Sequence, residues 1–268
     1  MTGARAMSAY RVHAYNTAIA SENKIHDDAV ARKFGFSGGL VPGVEVYAYM
    51  MHVPVARWGR QYLERGAAEC RFVNPVYDGE TAEVSGREED VRIDIEVHGR
   101  GALCATGSAR LPAEAAQPPR LDDYPSADPP PSEARAPASP QTLAVGASLA
   151  ARPLEIRAPL AAQYLADVRE ADGLYAREGL LHPGMVLRMC NQALLQSVRL
   201  GPWIHVGSQV QNFGAARVGE TLVARGRVTA NYERKGHLFV EFDALVLASG
   251  RPVARVGHSA IYRPRQGR

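Results

Sequence analysis

The chain has 268 residues, of which 46% are hydrophobic and 22% are charged, as is typical of a globular protein with one large domain or two ordinary ones. Its formal net charge of +3 is small and its arginines are scattered along the sequence, so we expect no nucleic-acid partner. No apolar stretch approaches the ~18 residues of a membrane span, and residues 1–10 lack the apolar core of a secretion signal, so we expect a cytoplasmic protein with no membrane association.

The first predicted element is a short amphipathic helix at residues 27–34, preceded by a polar segment that contains Asn23 and His26. A glycine-rich loop follows and leads to a longer, apolar helix at residues 44–51. A proline and Gly43 stand at the entry of this helix, where both residue types suit a helix N-terminus. The sequence therefore predicts that the loop ends at the N-terminus of a long helix.

Pro54 is expected to break or kink this helix, because proline lacks the N–H of an interior helical hydrogen bond. A shorter helical piece should continue at residues 58–63. Residues 91–97 alternate strictly between apolar and polar side chains, which predicts a strand with one buried face.

Residues 112–140 differ sharply in composition from the rest of the chain. They contain half of its 18 prolines, interleaved with Ala, Ser, Asp and Glu. Such a segment has too few backbone donors and too little apolar surface to form a core element. We predict an extended, semi-rigid linker that crosses a domain face, between an N-terminal module at residues 1–111 and a C-terminal module at residues 141–268.

The two modules resemble each other in sequence. Three anchors recur in the same order, two of them at nearly the same spacing: the helix-entry glycines Gly43 and Gly184, the Gly-Glu-Thr segments that begin at Gly79 and Gly219, and residues 107–109 and 258–260. Anchors in this arrangement predict a duplication, and each copy is too large to be a solenoid repeat.

The second module repeats the order of elements in the first. A helix is predicted at residues 185–198, followed by strands at 222–229, 237–247 and 253–262, with hairpin turns at 233–236 and 248–251. One long helix followed by an antiparallel meander, twice over, indicates an α+β fold in which helices pack against curved antiparallel sheets.

The polar segment and the entry of the first long helix together suit a reaction site. His26 titrates near neutral pH and can move a proton, and Asn23 can orient that ring or a water molecule. The Gly43 amide, aided by the helix dipole, can hold a developing oxyanion. His26 alone would more often be a capping residue, so the interpretation depends on the three residues together.

These residues resemble the signature of the MaoC-like family of R-specific enoyl-CoA hydratases and dehydratases. In that family a Gly-Asp-x-Asn-Pro-x-His segment precedes a helix, and a His-Gly step further along the chain opens the central helix. Asn23 and His26 stand at the Asn and His places, and Gly43 at the glycine place. The resemblance covers both modules and implies a double hotdog fold, in which each long helix is wrapped by a curved antiparallel sheet.

The sequence departs from this pattern at Ser21, which stands where the family has the aspartate that acts with the histidine on the water, and at Lys24, which replaces the proline. Serine is no general base at neutral pH without another group, so the carboxylate is missing or supplied from elsewhere. The alternatives left open are Glu22, Asp27, Asp28, Asp167 and Asp172. The second module has no matching histidine, so we expect the first to be catalytic and the second to help build the substrate tunnel.

The resemblance implies a hydro-lyase that adds water to an enoyl thioester or removes it from a 3-hydroxyacyl thioester. His26 would be the acid/base, Asn23 the positioning residue, and the Gly43 amide the stabiliser of the enolate. Further residues expected to contact the substrate are Ser21, Gly39, Val41, Tyr47 and His182, although His182 also suits a simple helix cap.

No cofactor is expected beyond a thioester carried on coenzyme A or on an acyl carrier protein, because the carbonyl itself is the electron sink. The three cysteines are far apart and no His, Cys and carboxylate cluster has metal-ligand spacing, so we expect no metal. Two fused modules predict a pseudo-dimeric monomer or a homodimer.

Other functions stay open at this point. The change at Ser21 is also compatible with an elimination, addition or cyclisation of a non-thioester metabolite, or with a ligand-binding hotdog that has lost its chemistry. A thioesterase is less expected, because Glu45 is only a weak candidate for its base. Three polar residues of the second long helix are expected to be structural rather than pocket-lining, namely Arg188, Asn191 and Gln192.

Overall fold

The computed structural model describes residues 5–265, whose strands form one antiparallel sheet with two long helices packed against it. The helices are α1 (Asp28–Lys33), α2 (Gly43–Trp58), α3 (Arg60–Arg65), α4 (Ala158–Asp167), α5 (Leu174–Glu178) and α6 (Pro183–Ser197). The first-half strands are β1 (Arg5–Ala6), β2 (Tyr10–His13), β3 (Ala67–Phe72), β4 (Thr81–Glu89), β5 (Arg92–Gly99) and β6 (Ala102–Arg110). The second-half strands are β7 (Ser148–Ala150), β8 (Leu154–Glu155), β9 (Ile204–Asn212), β10 (Thr221–Arg234), β11 (His237–Ala248) and β12 (Arg251–Arg263).

The order of the strands shows the duplication directly. It runs β1-β4-β5-β6-β3-β9-β12-β11-β10-β7, with β2 also paired to β4 and β8 also paired to β10. Each half therefore contributes the same four-stranded pattern, and the two patterns meet where β3 pairs with β9. At this central seam Cys70 lies opposite Ser208.

The hairpin turns of the second half are confirmed at the predicted positions. Lys235 and Gly236 have φ values of 53° and 78° between β10 and β11, and Ser249 and Gly250 have φ values of 48° and 83° between β11 and β12. Two consecutive positive φ values give the tight turn whose twist matches that of the flanking strands. Because pairing continues up to the first turn, β10 extends beyond its predicted end at residue 229.

Helix α2 continues through Pro54, so of the predicted break or kink the break is wrong. Pro54 is buried, and packing of the helix in the core outweighs the loss of one backbone hydrogen bond. The break lies instead at Gly59, whose φ of 57° and ψ of −142° separate α2 from α3. Glycine adopts such angles without the strain that a side chain would bring.

Helices α2 and α6 share one hydrophobic core between them. Inside this core Glu45 of α2 is 0% exposed and forms an ion pair with Arg188 of α6. The hydroxyl of Thr17 donates to the same carboxylate at 3.2 Å. A buried carboxylate requires such partners, so the pair fixes how the two halves pack against each other. Within residues 5–265, no helix has the length and apolar character needed to cross a membrane.

Residues 112–140 run along the outer face of the second half. Tyr124 is buried against Leu245 and Leu247 of β11, and its hydroxyl donates to Asp243 at 2.5 Å. These β11 residues alternate with those that face α6, so they belong to the opposite face of the sheet. Further on, Arg135 donates to the carbonyl oxygen of Leu195 at 2.7 Å and pairs with Glu22. The segment therefore packs against the second half of the molecule and reaches the first half through the pair of Arg135 with Glu22.

Candidate functional site

A pocket of about 270 Å³ lies where the two halves meet. The first half contributes the polar segment, the loop before α2, the start of α2, the end of β3 and the residues after it. The second half contributes residues of α6, β9, β11 and β12 and the residue before β9. The polar residues of its wall are Asn23, His26, Asn74, Asn191, His205 and His237. Among the residues that the structure describes, no Asp or Glu belongs to this wall. An apolar pocket with a few convergent polar groups is typical of a small-molecule site.

Asn23 connects the polar segment to the second half. It caps a single 3₁₀ turn, Lys24–His26, with its side-chain oxygen 3.4 Å from the Ile25 amide. The same oxygen accepts from the Trp203 amide at 3.1 Å, and the Asn23 amide group donates to the Trp203 carbonyl at 3.0 Å. Two bonds to one backbone residue fix the side chain, so Asn23 holds the neighbouring His26 in a defined place.

The ring of His26 is held in one tautomer. Its Nδ1 lies 2.6 Å from the carbonyl oxygen of Leu40, which can only accept, so Nδ1 carries the hydrogen. Nε2 of the neutral ring then has the lone pair, which accepts a hydrogen bond from the side-chain nitrogen of Asn23 at 3.3 Å. A lone pair at a fixed ring nitrogen in a pocket is what a general base requires.

Burial lowers the pKa of His26 below its ordinary value, because desolvation disfavours the charged ring. The hydrogen bond with Leu40 acts in the opposite direction and offsets only part of this effect. The ring is therefore neutral at neutral pH and available to accept a proton.

The glycine-rich loop supports His26 through its backbone. Gly39 donates from its amide to Asp28 at 2.7 Å, and the Asn16 side chain donates to the His26 carbonyl at 2.9 Å. A Cβ on Gly39 would overlap that carbonyl oxygen, so a residue with a side chain would push His26 away. Gly39 therefore supports the backbone of His26 and is not part of the pocket wall.

The entry of α2 forms another part of the wall. This helix of 16 residues begins at Gly43. The first amides of a helix have no acceptor within it, and the helix dipole favours negative charge there. A Cβ on Gly43 would lie 3.0 Å from both Phe72 Cε2 and His205 Nδ1, so glycine allows the helix entry to approach both rings. The Gly43 amide suits an oxyanion in the pocket.

The second half contributes a buried histidine to the wall, His205 on β9. Its ring contacts Phe72 edge-on at 4.9 Å and stacks on His258 at 4.0 Å. Its Nε2 lies 2.9 Å from the hydroxyl of Ser208, and that hydroxyl lies 3.0 Å from Nδ1 of His258. Burial lowers the pKa of His205 to about 3 and that of His258 well below its ordinary value, so both rings are neutral.

The structure brings half of the eight residues predicted for the site to the pocket wall, namely Asn23, His26, Val41 and Gly43. Ser21 lies beside the wall, with its hydroxyl donating to the Asn23 carbonyl at 3.3 Å, and Tyr47 lies in the core at 1% exposure. Asn191 was expected to be structural, and that expectation is wrong, because it forms part of the pocket wall.

The carboxylates considered as substitutes for the missing aspartate have partners outside the pocket. Glu22 pairs with Arg135, and Asp167 accepts from the side chain of Gln163. The other three accept from backbone amides, Asp27 from Val30, Asp28 from Gly39 and Asp172 from Leu174. None of the five belongs to the wall of the pocket. The candidate site therefore differs from a His–Asp pair.

The corresponding entrance in the second half is closed by aromatic side chains. His182 caps α6, where its Nδ1 accepts from the Gly184 amide at 3.1 Å, and it is 1% exposed. The rings of Tyr164 and Tyr175 lie 5.6 Å and 4.8 Å from its ring. A Cβ on Gly184 would overlap the Tyr164 hydroxyl, so this space is already filled.

His182 belongs to a buried cluster around Glu170. The two carboxylate oxygens of Glu170 lie 3.4 Å from His182 Nε2 and 2.8 Å from His52 Nδ1. Burial acts to raise the pKa of Glu170, but the hydrogen bonds with His182 and His52 outweigh it and hold that pKa well below its ordinary value. This arrangement is that of a structural, hydrogen-bonded cluster.

A larger groove of about 1000 Å³ lies on the outer face of the sheet, lined by exposed side chains such as Glu69, Arg92 and Arg255. The smaller pocket is the better candidate, because a base of fixed tautomer and a helix N-terminus meet there. Within residues 5–265, no three His, Cys, Asp or Glu side chains are grouped as metal ligands would be.

Solved structures with the same architecture identify the fold. A protein from Chloroflexus aurantiacus J-10-fl, described as a MaoC-domain dehydratase, matches with a TM-score of 0.64 at 11% identity, over 99% of this chain and 95% of that one. A conserved hypothetical protein of Mycobacterium tuberculosis with a double hotdog fold matches with a TM-score of 0.64 at 16% identity, over 97% and 96%. A protein of Novosphingobium aromaticivorans DSM 12444, described as a thioesterase, matches with a TM-score of 0.50 at 14% identity, over 84% and 88%.

These likenesses confirm the α+β double hotdog fold that the sequence predicts. No family model matches the sequence, and no curated protein matches it. Because proteins described as a dehydratase and as a thioesterase share this fold, the reaction has to be argued from the pocket itself.

Proposed function

We propose that the protein is a hydro-lyase of the hydratase or dehydratase type that acts on an enoyl or 3-hydroxyacyl thioester. The observation that carries this proposal is the tautomer of His26. Its Nδ1 is bound to Leu40, so the lone pair is on Nε2, where water or substrate can replace the 3.3 Å contact with Asn23, in a pocket that also contains the N-terminus of α2. A base and an oxyanion site in one pocket are what proton transfer beside a thioester carbonyl requires.

In the hydration direction, the oxygen of a water molecule bonds to the β-carbon of the enoyl thioester while one water proton passes to Nε2 of His26. The electron pair of the carbon–carbon double bond moves toward the thioester carbonyl, whose oxygen accepts from the Gly43 amide. His26 then gives its proton to the α-carbon and becomes neutral again. Dehydration follows the same steps in reverse.

Asn23 supports this cycle by keeping Nε2 of His26 in place. Its side-chain nitrogen lies 3.3 Å from that atom, and its two bonds to the Trp203 backbone hold the amide in this orientation. Because an amide nitrogen can only donate, the contact favours the neutral ring, and Nε2 takes up a proton when water or substrate takes the place of this contact.

The size and lining of the pocket support a short acyl group. A volume of about 270 Å³ lies near the lower end of small-molecule sites, and Phe36, Val46 and Phe72 supply apolar wall. Coenzyme A or an acyl carrier protein would carry the thioester, with most of the carrier outside the pocket.

Glu45 gives no support to a thioesterase. Its carboxylate is paired with Arg188 and accepts from Thr17, it is 0% exposed, and it is not among the residues of the pocket wall. A carboxylate held in this way is a structural group between α2 and α6.

The test is hydration of a series of trans-2-enoyl-CoA substrates, followed by loss of the conjugated thioester absorbance. His26→Ala should lower turnover at least about 100-fold, the lower end of what a general acid–base group contributes. His13→Ala is the matched control, because His13 is exposed on β2 of the same half, and it should keep native turnover. A folded native protein that hydrates none of the substrates would overturn the proposal and favour a non-thioester substrate or a binding role.

A further inference from the structure

His205 belongs to the pocket wall, and one of its ring nitrogens is buried without a hydrogen-bond partner. The residue is 6% exposed, and among the residues that the structure describes its Nδ1 has no hydrogen-bond partner. This atom lies beside the entry of α2, since a Cβ on Gly43 would be 3.0 Å from it. Buried polar atoms are nearly always hydrogen-bonded, so an orphan in a pocket wall points to a group of the ligand that completes it.

The orphaned nitrogen is a hydrogen-bond acceptor. The carbonyl oxygen of Gly207 lies 3.2 Å from Nε2 of His205 and can only accept, which places the ring hydrogen on Nε2. Nδ1 therefore has the lone pair. The Ser208 hydroxyl, 2.9 Å from Nε2, is then able to donate to His258 at 3.0 Å, and the stacked His258 ring holds the plane of His205.

The fold itself does not require this chain of polar groups. Ser208 pairs with His258 across β9 and β12, and the corresponding pair in the first half, across β3 and β6, is Cys70 with Gly107. That half packs a thiol and a glycine where the second half packs a hydroxyl and an imidazole. The polar groups occur in the second half, whose His205 forms part of the pocket wall. This location indicates that they have a role in the site rather than in folding.

We propose that His205 orients the water molecule used in hydration, and the 3-hydroxyl group of the substrate in the reverse direction, by accepting a hydrogen bond at Nδ1. This inference rests on the proposed function and identifies the group that fills the role left open by Ser21. Ser208 and His258 are positioning residues, because they act by fixing the tautomer and plane of the His205 ring.

The step is balanced with His26 as the only base. One hydrogen of the water points to Nδ1 of His205 and stays on the oxygen, while the other passes as a proton to Nε2 of His26. The water oxygen bonds to the β-carbon, and the proton on His26 goes to the α-carbon. His205 keeps the same protonation state throughout, which agrees with a ring that is buried and neutral.

A neutral acceptor also suits the charge that develops in the pocket. The enolate oxygen is negative, and a carboxylate close to it would raise the energy of that state in a medium of low dielectric constant. An imidazole orients the water equally well without adding a second negative charge.

The test compares His205→Asn with His205→Gln. The Asn side chain places its amide near the position of Nδ1, and the Gln side chain places its amide near the position of Nε2. If His205 orients water, Gln should lower kcat about 100-fold with KM nearly unchanged, and Asn should stay within about tenfold of native, because a lost orienting contact is felt mainly in the transition state. If His205 acts only through its bond with Ser208, the order of the two variants should be reversed, and His205→Asn should lower kcat more than His205→Gln.

Binding measured by calorimetry supplies a readout that does not depend on turnover. In the His26→Ala background, adding His205→Gln should weaken binding of 3-hydroxybutyryl-CoA about tenfold and leave butyryl-CoA unchanged, since only the first ligand has the hydroxyl that Nδ1 accepts from. Equal effects on both ligands, or native kcat in His205→Gln, would overturn the inference while leaving the proposed function in place. A native protein without hydratase activity overturns the proposed function and this inference together.

Discussion

Replacing Arg188 by methionine tests how the two halves are held together. The guanidinium of Arg188 pairs with Glu45 across the α2–α6 contact and lies over the ring of Tyr164 at 4.6 Å. Methionine keeps an apolar stem of similar length. It leaves the Glu45 side chain, which is 1% exposed, without its cation.

The expected loss of unfolding free energy follows from the burial of Glu45 and Arg188. Removing one partner of a buried ion pair costs about 3–5 kcal/mol, because the other charge stays buried alone. We expect about 3 kcal/mol here, at the lower end of that range, since the Arg188 side chain is 31% exposed and the Thr17 hydroxyl still donates to Glu45. With an m-value of about 3 kcal/mol per molar urea, the unfolding midpoint should fall by about 1 M.

Urea unfolding, followed by circular dichroism, measures this loss, with the Glu45→Gln/Arg188→Met double variant as the control. The uncharged Gln needs no cation, so the double variant should recover about 2 kcal/mol of the loss. Hydratase turnover should persist in both variants, because neither residue lines the pocket. A single Arg188→Met variant within about 0.5 kcal/mol of native stability would refute the reasoning.

Two further predictions concern the pocket. Under the proposed mechanism neutral His26 is the base, and burial lowers its pKa. The kcat/KM for hydration should therefore be full at neutral pH and fall as the pH drops through a single pKa below the ordinary histidine value of about 6.5. A midpoint above that value in the pH–rate profile would contradict this. Gly43→Ala places a methyl group 3.0 Å from Phe72 and His205. Turnover should therefore fall about tenfold, with only a small change in Tm. An alanine variant with native kcat would show that the close approach of the helix entry to these rings is not needed.

The parts of the fold that the sequence predicts are those set by local patterns. The turn residues Lys235-Gly236 and Ser249-Gly250 predict the positions of two hairpins. The apolar periodicity after Gly43 and Gly184 predicts the positions of α2 and α6. The repeated anchors predict the same order of elements in both halves, because two copies of one module fold in the same way. The predicted break at Pro54 was wrong, because packing of this residue in the core stabilises the helix by more than the loss of one backbone hydrogen bond destabilises it.

Local sequence patterns could not predict which residues of the second half form the pocket wall. His205 reaches Gly43 and Phe72 only because β3 pairs with β9 across the seam, and no periodicity within either segment marks that pairing. A weak signal did exist at His258, which stands where the first copy has Gly107. A histidine in place of a glycine at an interior strand position is a polar group that needs partners, which the structure supplies as Ser208 and the stacked ring of His205.

The seam between β3 and β9 also has a consequence for synthesis of the chain on the ribosome. The first half leaves the ribosome with one edge of Ala67–Phe72 unpaired, and its partner Ile204–Asn212 follows only after the linker and α6 have been made. At roughly 5–20 residues per second, the nascent chain exposes a strand edge for a time on the order of ten seconds. Such an edge is a template for pairing with other chains, so the first half, expressed alone, should self-associate or require a chaperone.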